Sequence, residues 1–269
     1  MIITIIIIIL IYLFLISTRK CKTIPKSVEP NLYAHRGLHY NVNFPYENTL
    51  EAFRLAVENG YGIELDVQFT RDKQIVVVHD NNIKRVCGID KKVSDCTYEE
   101  LKNYPILDGS YIPLFSEVLE LVSGKVPLLI EIKHYNDVKE LSEKTYEMLK
   151  NYNGAYCIES FHPLALLWFR KNAPEVFRGQ LASGHIDKAD GANYFEQLFL
   201  LSLLCNVISA PHFISYTSEH DNHLSIFLIK KIFKPKLAAF TLKSQEELDR
   251  ALEKGYTMPI FEGFIPKLK

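Results

Sequence analysis

Four short stretches hold the residues best able to act on a charged substrate. In Gly62-Ile63-Glu64-Leu65-Asp66-Val67, two carboxylates alternate with apolar side chains. A period of two is the pattern of a strand, here with one apolar and one acidic face. Either carboxylate alone reads as a solvated strand face, but the regular apolar face argues against that for the pair. Glu131 and Lys133 close the apolar run 127–133, His35 and Arg36 end a short strand at 30–36, and His79 follows the β-branched run Ile75–Val78. A tight turn on Asp72-Lys73 would fold that run back antiparallel and set His79 opposite Asp66. Glu64, Asp66 and Glu131 are hard oxygen ligands, suited to one divalent cation, Mg²⁺ or Ca²⁺, in preference to zinc. His35 and His79 offer an acid and a base with ordinary pKa values near ~6.5. Arg36 and Lys133 are the cations an anionic oxygen requires. A divalent ion, two imidazoles and two cations suit attack on a phosphodiester, where negative charge builds while protons move.

Something must bring these stretches together. Strand and helix patterns alternate along the chain, which argues for a parallel α/β architecture. Nine strand candidates are present, among them 176–181, 207–209, 237–240 and 257–260. Removing the return strand of the hairpin leaves eight, the number for a (β/α)8 TIM barrel with a β-hairpin excursion. Chemistry in such barrels sits at the C-terminal strand ends, where His35, Glu64, Asp66 and Glu131 all fall. Asn48 is expected to cap the helix that follows it, with Glu51 completing a capping box and Gly60 closing its end. That duty would leave Asn48 no part in the chemistry, and Glu47 stays open. His39, His134, His162, His185, His212, His220 and His223 read as loop or surface histidines. The apolar stretch 192–204 reads as a buried barrel helix.

Residues 1–17 are almost continuously apolar, and as a helix they would extend roughly 26 Å at ~1.5 Å per residue. The absence of a basic n-region or a small-residue cleavage motif makes an uncleaved transmembrane anchor over residues 1–18 the expectation. Arg19, Lys20, Lys22 and Lys26 follow it. They make 19–29 a basic juxtamembrane linker able to meet lipid headgroups, and place a single-pass protein's globular part, 30–269, in the cytoplasm. The formal net charge of −1 leaves no nucleic-acid footprint. The five cysteines are scattered, with no CxxC pair, so neither a zinc knuckle nor a disulfide framework is indicated.

In order and spacing, the sequence resembles the glycerophosphodiester phosphodiesterase family. The matching pieces are His35-Arg36-Gly37, Glu47-Asn48-Thr49, Glu64-Leu65-Asp66-Val67, Thr70 with Asp72, Val77-Val78-His79-Asp80 and Glu131-Ile132-Lys133. The resemblance implies a TIM barrel that hydrolyses glycerophosphodiesters to glycerol 3-phosphate and an alcohol. It implies His35 and His79 as the acid–base pair, Glu64, Asp66 and Glu131 as metal ligands, and Arg36 and Lys133 as phosphate contacts. One histidine would deprotonate the glycerol 2-hydroxyl for attack on phosphorus, the other would protonate the leaving alcohol, and water would open the cyclic phosphate. The C-terminal third departs from the family pattern: Phe240-Thr241-Leu242-Lys243 stands for the usual Trp-Thr-Val-Asn. Phe261-Glu262-Gly263-Phe264-Ile265-Pro266 stands for the closing Thr-Asp-x-Pro. A lysophospholipase D type enzyme acting on lysophospholipids, or a membrane-tethered non-catalytic barrel, are the competing readings.

Overall fold

Alternation on β2 (Gly62–Phe69) divides the strand between two environments. Ile63, Leu65, Val67 and Phe69 face outward into one large apolar cluster, shared with Phe53 and Ala56 of the preceding helix and with Phe115 and Val118. Glu64, Asp66 and Gln68 take the opposite face. The same division repeats around a closed sheet. The strands are β1 (Tyr33–Ala34), β2, β3 (Ile75–Val77), β4 (Leu128–Ile132), β5 (Tyr156–Ser160), β6 (Arg178–Ala182), β7 (Phe213–Thr217), β8 (Lys236–Leu242) and β9 (Met258–Phe261). All but β3 run parallel, and β1 pairs with both β2 and β9, so eight strands close into a barrel. The expected (β/α)8 fold with its hairpin excursion is therefore present. This computed structural model describes all residues except 23, 30, 40–45, 136, 185–193 and 268–269. His185 and the start of the 192–204 stretch thus lie outside the described residues.

Inside the barrel the lower layer is apolar. Tyr33, Leu129, Cys157, Phe177, Phe213, Ala238, Met258 and Ile260 form one buried cluster, and Val28 joins it, with Cys21 and Ile24 packed alongside. Residues 19–29, expected as a linker, thus contribute apolar side chains to the barrel's N-terminal end. Two glycines make that layer possible: a Cβ on Gly179 would lie 2.1 Å from the Phe213 ring, and one on Gly62 2.8 Å from Tyr33.

Three expectations need correction. The N-terminal helix α1 (Ile2–Ile16) has 15 residues, about 22 Å at ~1.5 Å per residue, against the ~30 Å of a hydrocarbon core. It stops because Ile16 turns into the protein: its carbonyl accepts from Asn206 Nδ2 at 2.8 Å, and Arg19 N donates to Pro211 O at 2.8 Å. Among the described residues no helix is long and apolar enough to cross a membrane. The transmembrane anchor, and the single-pass cytoplasmic placement that rested on it, therefore lose their basis. Second, 207–209 is not a strand: Asn206–Ser209 is a helical turn closed by Ala210 at φ 43°, and β7 begins later, at Phe213. Third, the hairpin register differs by one. Val67 pairs with Val77 and Phe69 with Ile75, which leaves Asp66 opposite Val78. The connection is a turn closed by Lys73 N–H to Thr70 O at 3.1 Å, followed by Lys73 itself at φ 61°, a three-residue loop instead of a two-residue one.

Candidate active site

Two residues above the apolar layer, the barrel interior turns acidic. Asp66, Glu131 and Glu159 are neighbours in one row across β2, β4 and β5. Ala34 aligns with Ile63 on one side and Phe261 on the other, so His35, one residue on, stands between Glu64 and Glu262. His35 Nε2 is 3.8 Å from Glu64 Oε2, and its Nδ1 is 2.5 Å from Glu262 Oε2. The chain leaves β1 through two left-handed residues, Arg36 (φ 53°) and Gly37 (φ 84°). This turn aims the Arg36 backbone N–H at Glu64 Oε2, 3.0 Å away. At Gly37 a Cβ would collide with the Ala52 backbone at 2.9 Å, so that close approach requires glycine.

The two cations lie among the carboxylates. Lys133 Nζ is 2.9 Å from Glu131 Oε1 and 3.4 Å from Asp66 Oδ1, and is almost wholly buried. Arg36 Nη1 reaches Glu47 Oε1 at 2.8 Å, and its Nε lies 3.5 Å from Asp66 Oδ2. Burial alone would raise the Asp66 carboxyl; Lys133, His79 and Arg36, with the Asn48 hydrogen bond, outweigh it and hold Asp66 well below the usual range. For Glu64 burial and the neighbouring carboxylates win, and its pKa rises well above normal; Glu131 is also raised, burial exceeding the pull of Lys133. Burial, then Arg36, lowers His35 to about 4 against the opposing pull of Glu262.

Glu64, Asp66 and Glu131 each offer an oxygen within 4.8 Å of the others. Asp66 Oδ1 and Glu131 Oε1 are buried with the Lys133 ammonium beside both and, among the described residues, no other hydrogen-bond donor. Crowded, underused carboxylate oxygens are what a hard divalent cation would satisfy, so these residues fit Mg²⁺ or Ca²⁺. His79 stands close enough to depress Asp66, and its Nδ1 is fixed by Asp80 Oδ1 at 2.7 Å. Asp80 in turn accepts from Arg85 Nε at 2.7 Å, and Arg85 grips Glu47, which completes a chain of ion pairs back to Arg36.

Every candidate named from the sequence is thus at this end of the barrel, and others join them. Asn48 is not the helix cap. Thr49 caps α2 (Leu50–Glu58), while Asn48, at φ 54°, turns its amide to donate to Asp66 Oδ2 at 2.9 Å. Glu159 is buried with its pKa raised well above normal, by burial first and Glu131 second. Its place at the end of β5, one strand beyond Glu131, was the available signal. Glu262 and His39 gave none, because neither sits in an alternating strand segment. His39 is buried, not on a surface loop.

Comparison with known proteins shows the family and the fold. The model of the glycerophosphoryl diester phosphodiesterase family matches residues 35–257. A glycerophosphodiester phosphodiesterase of Caldanaerobacter subterraneus subsp. tengcongensis is 38% identical over 238 residues, 82% of this chain and 89% of that protein. One from Bacillus altitudinis is 35% identical over 172 residues, 59% of this chain and 69% of the relative. Human lysophospholipase D GDPD1 is 40% identical over 121 residues, but these are 40% of this chain and 38% of the human protein. Among solved structures, the Thermotoga maritima glycerophosphodiester phosphodiesterase superposes with a TM-score of 0.64 at 26% identity, covering 86% of this chain and 93% of that one. An Oleispira antarctica phosphodiesterase, solved with sn-glycerol 3-phosphate, shares the fold at a TM-score of 0.68 and 23% identity, over 87% and 93% of the two chains. This chain belongs to the glycerophosphoryl diester phosphodiesterase family and is a phosphoric diester hydrolase.

Proposed function

We propose that the protein hydrolyses glycerophosphodiesters to glycerol 3-phosphate and an alcohol by divalent-metal-dependent, histidine acid–base catalysis. The observation that carries this reading is the convergence of three buried carboxylates with two histidines whose Nδ1 atoms are each fixed by a further carboxylate. Glu64, Asp66 and Glu131 would hold the cation, Mg²⁺ or Ca²⁺, which when bound supplies positive charge against the phosphoryl oxygens. Arg36 and Lys133 orient the phosphate and share its charge as the pentacoordinate state forms. With Nδ1 hydrogen-bonded to Glu262 and Asp80, His35 and His79 keep their second ring nitrogens for proton transfer. One takes the glycerol 2-hydroxyl proton and the other gives one to the leaving alcohol. Asn48 fixes one Asp66 oxygen, which leaves the other for the cation.

The test is release of free alcohol and glycerol 3-phosphate from glycerophosphocholine, glycerophosphoethanolamine and glycerophosphoglycerol. EDTA abolishes turnover, Mg²⁺ or Ca²⁺ restores it, and His35→Ala and His79→Ala each lower it by about 10²–10⁴-fold. Turnover that survives EDTA refutes the metal role. A lysophospholipid is the second substrate class to include. Phe161 and Phe240 meet edge-on, 6.2 Å apart, at the same barrel end, and the helix Tyr194–Leu201 exposes Phe195 and Leu198 nearby in the chain after β6. Faster turnover of lysophosphatidylcholine than of glycerophosphocholine would establish that class.

The membrane contact expected from sequence is proposed here in peripheral form. The first turns of α1 expose Ile2, Ile3 and Ile5–Ile11, and Lys20 and Lys22 follow. A helix that is apolar on all sides and too short to span would bury these side chains at a lipid surface and set the lysines against anionic headgroups. Co-sedimentation with anionic vesicles, lost on deletion of residues 1–10, is the expected result.

A further inference from the structure

Beside the carboxylate triad is a second group of ligating side chains of different chemistry. His35, His39 and Glu262 each offer one nitrogen or oxygen within 4.8 Å of the others. His39 is 2% exposed, and among the described residues neither of its ring nitrogens meets a hydrogen-bond partner at ordinary geometry. A buried imidazole with both nitrogens idle is costly unless something occupies them. Glu262 is partly open to solvent, so an ion can reach the group. Glu262 is also where this chain departs from its family's closing motif, and His39 lies outside every motif that carries the resemblance.

We propose that His35, His39 and Glu262 form a zinc site, distinct from the hard-cation site of Glu64, Asp66 and Glu131, and that zinc bound there switches catalysis off. Two imidazoles and one carboxylate are a borderline-soft set that selects Zn²⁺ over Mg²⁺ or Ca²⁺, with a fourth position left for water. The ion takes the place of the proton that His35 Nδ1 donates to Glu262 Oε2, and that proton passes by way of solvent to His35 Nε2. Bond lengths near ~2.0–2.1 Å require those two atoms to separate from 2.5 Å to about 3.3 Å, a side-chain adjustment of under ~1 Å. The inhibitory consequence follows from the ring itself. At present Nδ1 carries the proton, donated to Glu262, and Nε2 has the free lone pair facing the triad, 3.8 Å from Glu64. Once Nδ1 binds zinc, a neutral His35 carries its proton on Nε2 and cannot accept another there. Glu262 at the same time stops orienting His35 for the reaction.

The binding half stands independently of substrate; the inhibition half rests on the phosphodiesterase reading. The experiment uses the full chain, stripped with EDTA and then held in excess Mg²⁺, with Zn²⁺ titrated by calorimetry and Co²⁺ followed by its visible absorption as a spectroscopic stand-in. The expected result is one Zn²⁺ per chain with Mg²⁺ in excess, and a four-coordinate Co²⁺ spectrum. Zn²⁺ binding weakens by about tenfold or more in both His39→Gln and Glu262→Gln, and is retained in Glu131→Gln. Zn²⁺ inhibits glycerophosphocholine turnover, more Mg²⁺ does not relieve it, and His39→Gln resists it when each protein is scored against its own zinc-free rate. Zn²⁺ binding unchanged in His39→Gln, or lost in Glu131→Gln, overturns the proposal by placing the ion in the carboxylate triad. Thermal melts of each variant separate lost ligation from lost fold. Binding that depends on His39 in a chain with no turnover would uphold the zinc site and refute the catalytic reading alone.

Discussion

The two layers of the barrel interior stand on the same strands, one turn of the pleat apart, and do opposite work. In the lower layer Leu129, Cys157 and Ile260 pack among aromatic rings, and none of the three carries a charge. Two residues higher on those strands stand Glu131, Glu159 and Glu262, where carboxyl groups are forced together and burial raises Glu131 and Glu159 against their ordinary values. A shift of two residues in a parallel strand thus separates stability from chemistry. The layer below supplies the rigidity that lets the layer above hold carboxylates in mutual repulsion.

Exchanging the two kinds of damage is the strongest way to break this contrast. Glu131→Gln should lower turnover by about 10²–10³-fold or more. In EDTA its melting temperature should change little, because the relief of a charge that burial disfavours offsets the lost Lys133 ion pair, and Asp66 still faces that ammonium. Leu129→Ala, on the same strand, should do the reverse. A fully buried leucine lost from a packed layer costs about 2–5 kcal/mol in a denaturant melt. The folded fraction should keep its turnover per molecule. If both variants lose activity and stability in equal measure, the layers are not separable.

A sharper contrast uses adjacent residues. Asn48 serves the site and Thr49 the helix, so Asn48→Gly, which accepts the φ of 54°, should weaken divalent-cation affinity by about 10–100-fold with little change in stability. Thr49→Ala should cost about 1 kcal/mol of stability, from a lost helix cap, and leave cation affinity nearly intact. Metal titration and melts on the same two proteins decide between them.

What the sequence revealed of this site follows from which constraints are local. The alternation at Glu64 and Asp66 and the polar end of the 127–133 run were legible because a barrel strand divides its side chains between interior and helix layer. The hairpin register was not, since a single left-handed residue, Lys73, adds a position to the loop, and no apolar pattern marks it. Asn48 and Thr49 compete for one cap on nearly equal propensity, and Asp66, eighteen residues away, decides the outcome by claiming the asparagine. The false strand at 207–209 has β-branched residues in a helical turn that an αL alanine terminates. Glu262 is brought to His35 by barrel closure between β9 and β1, the longest-range strand pairing in the fold, while His39 follows His35 by four residues on the same segment. The length of the apolar N-terminus was legible; its end was not, because Ile16 docks on residues nearly two hundred positions away.

The smallest predicted effect belongs to the lower end and concerns pH. His212 precedes β7, stacks on Phe177 with ring centroids 5.8 Å apart, and accepts from the Arg178 backbone N–H at Nδ1, 3.3 Å away. Burial first, and the Arg178 guanidinium second, lower its pKa to about 4 from 6.5. Between those values the unfolded chain binds a proton that the folded chain refuses. The stability His212 allows is therefore fully present above pH 6.5 and falls away as the pH drops toward 4. His212→Asn keeps an acceptor near the Nδ1 position but cannot titrate. The melting temperature of the variant should fall less than that of the parent between pH 7 and pH 5, and their difference at pH 7 should be small. A parallel fall in both proteins would assign the acid sensitivity to the charged layer above, where His35 is lowered in the same direction.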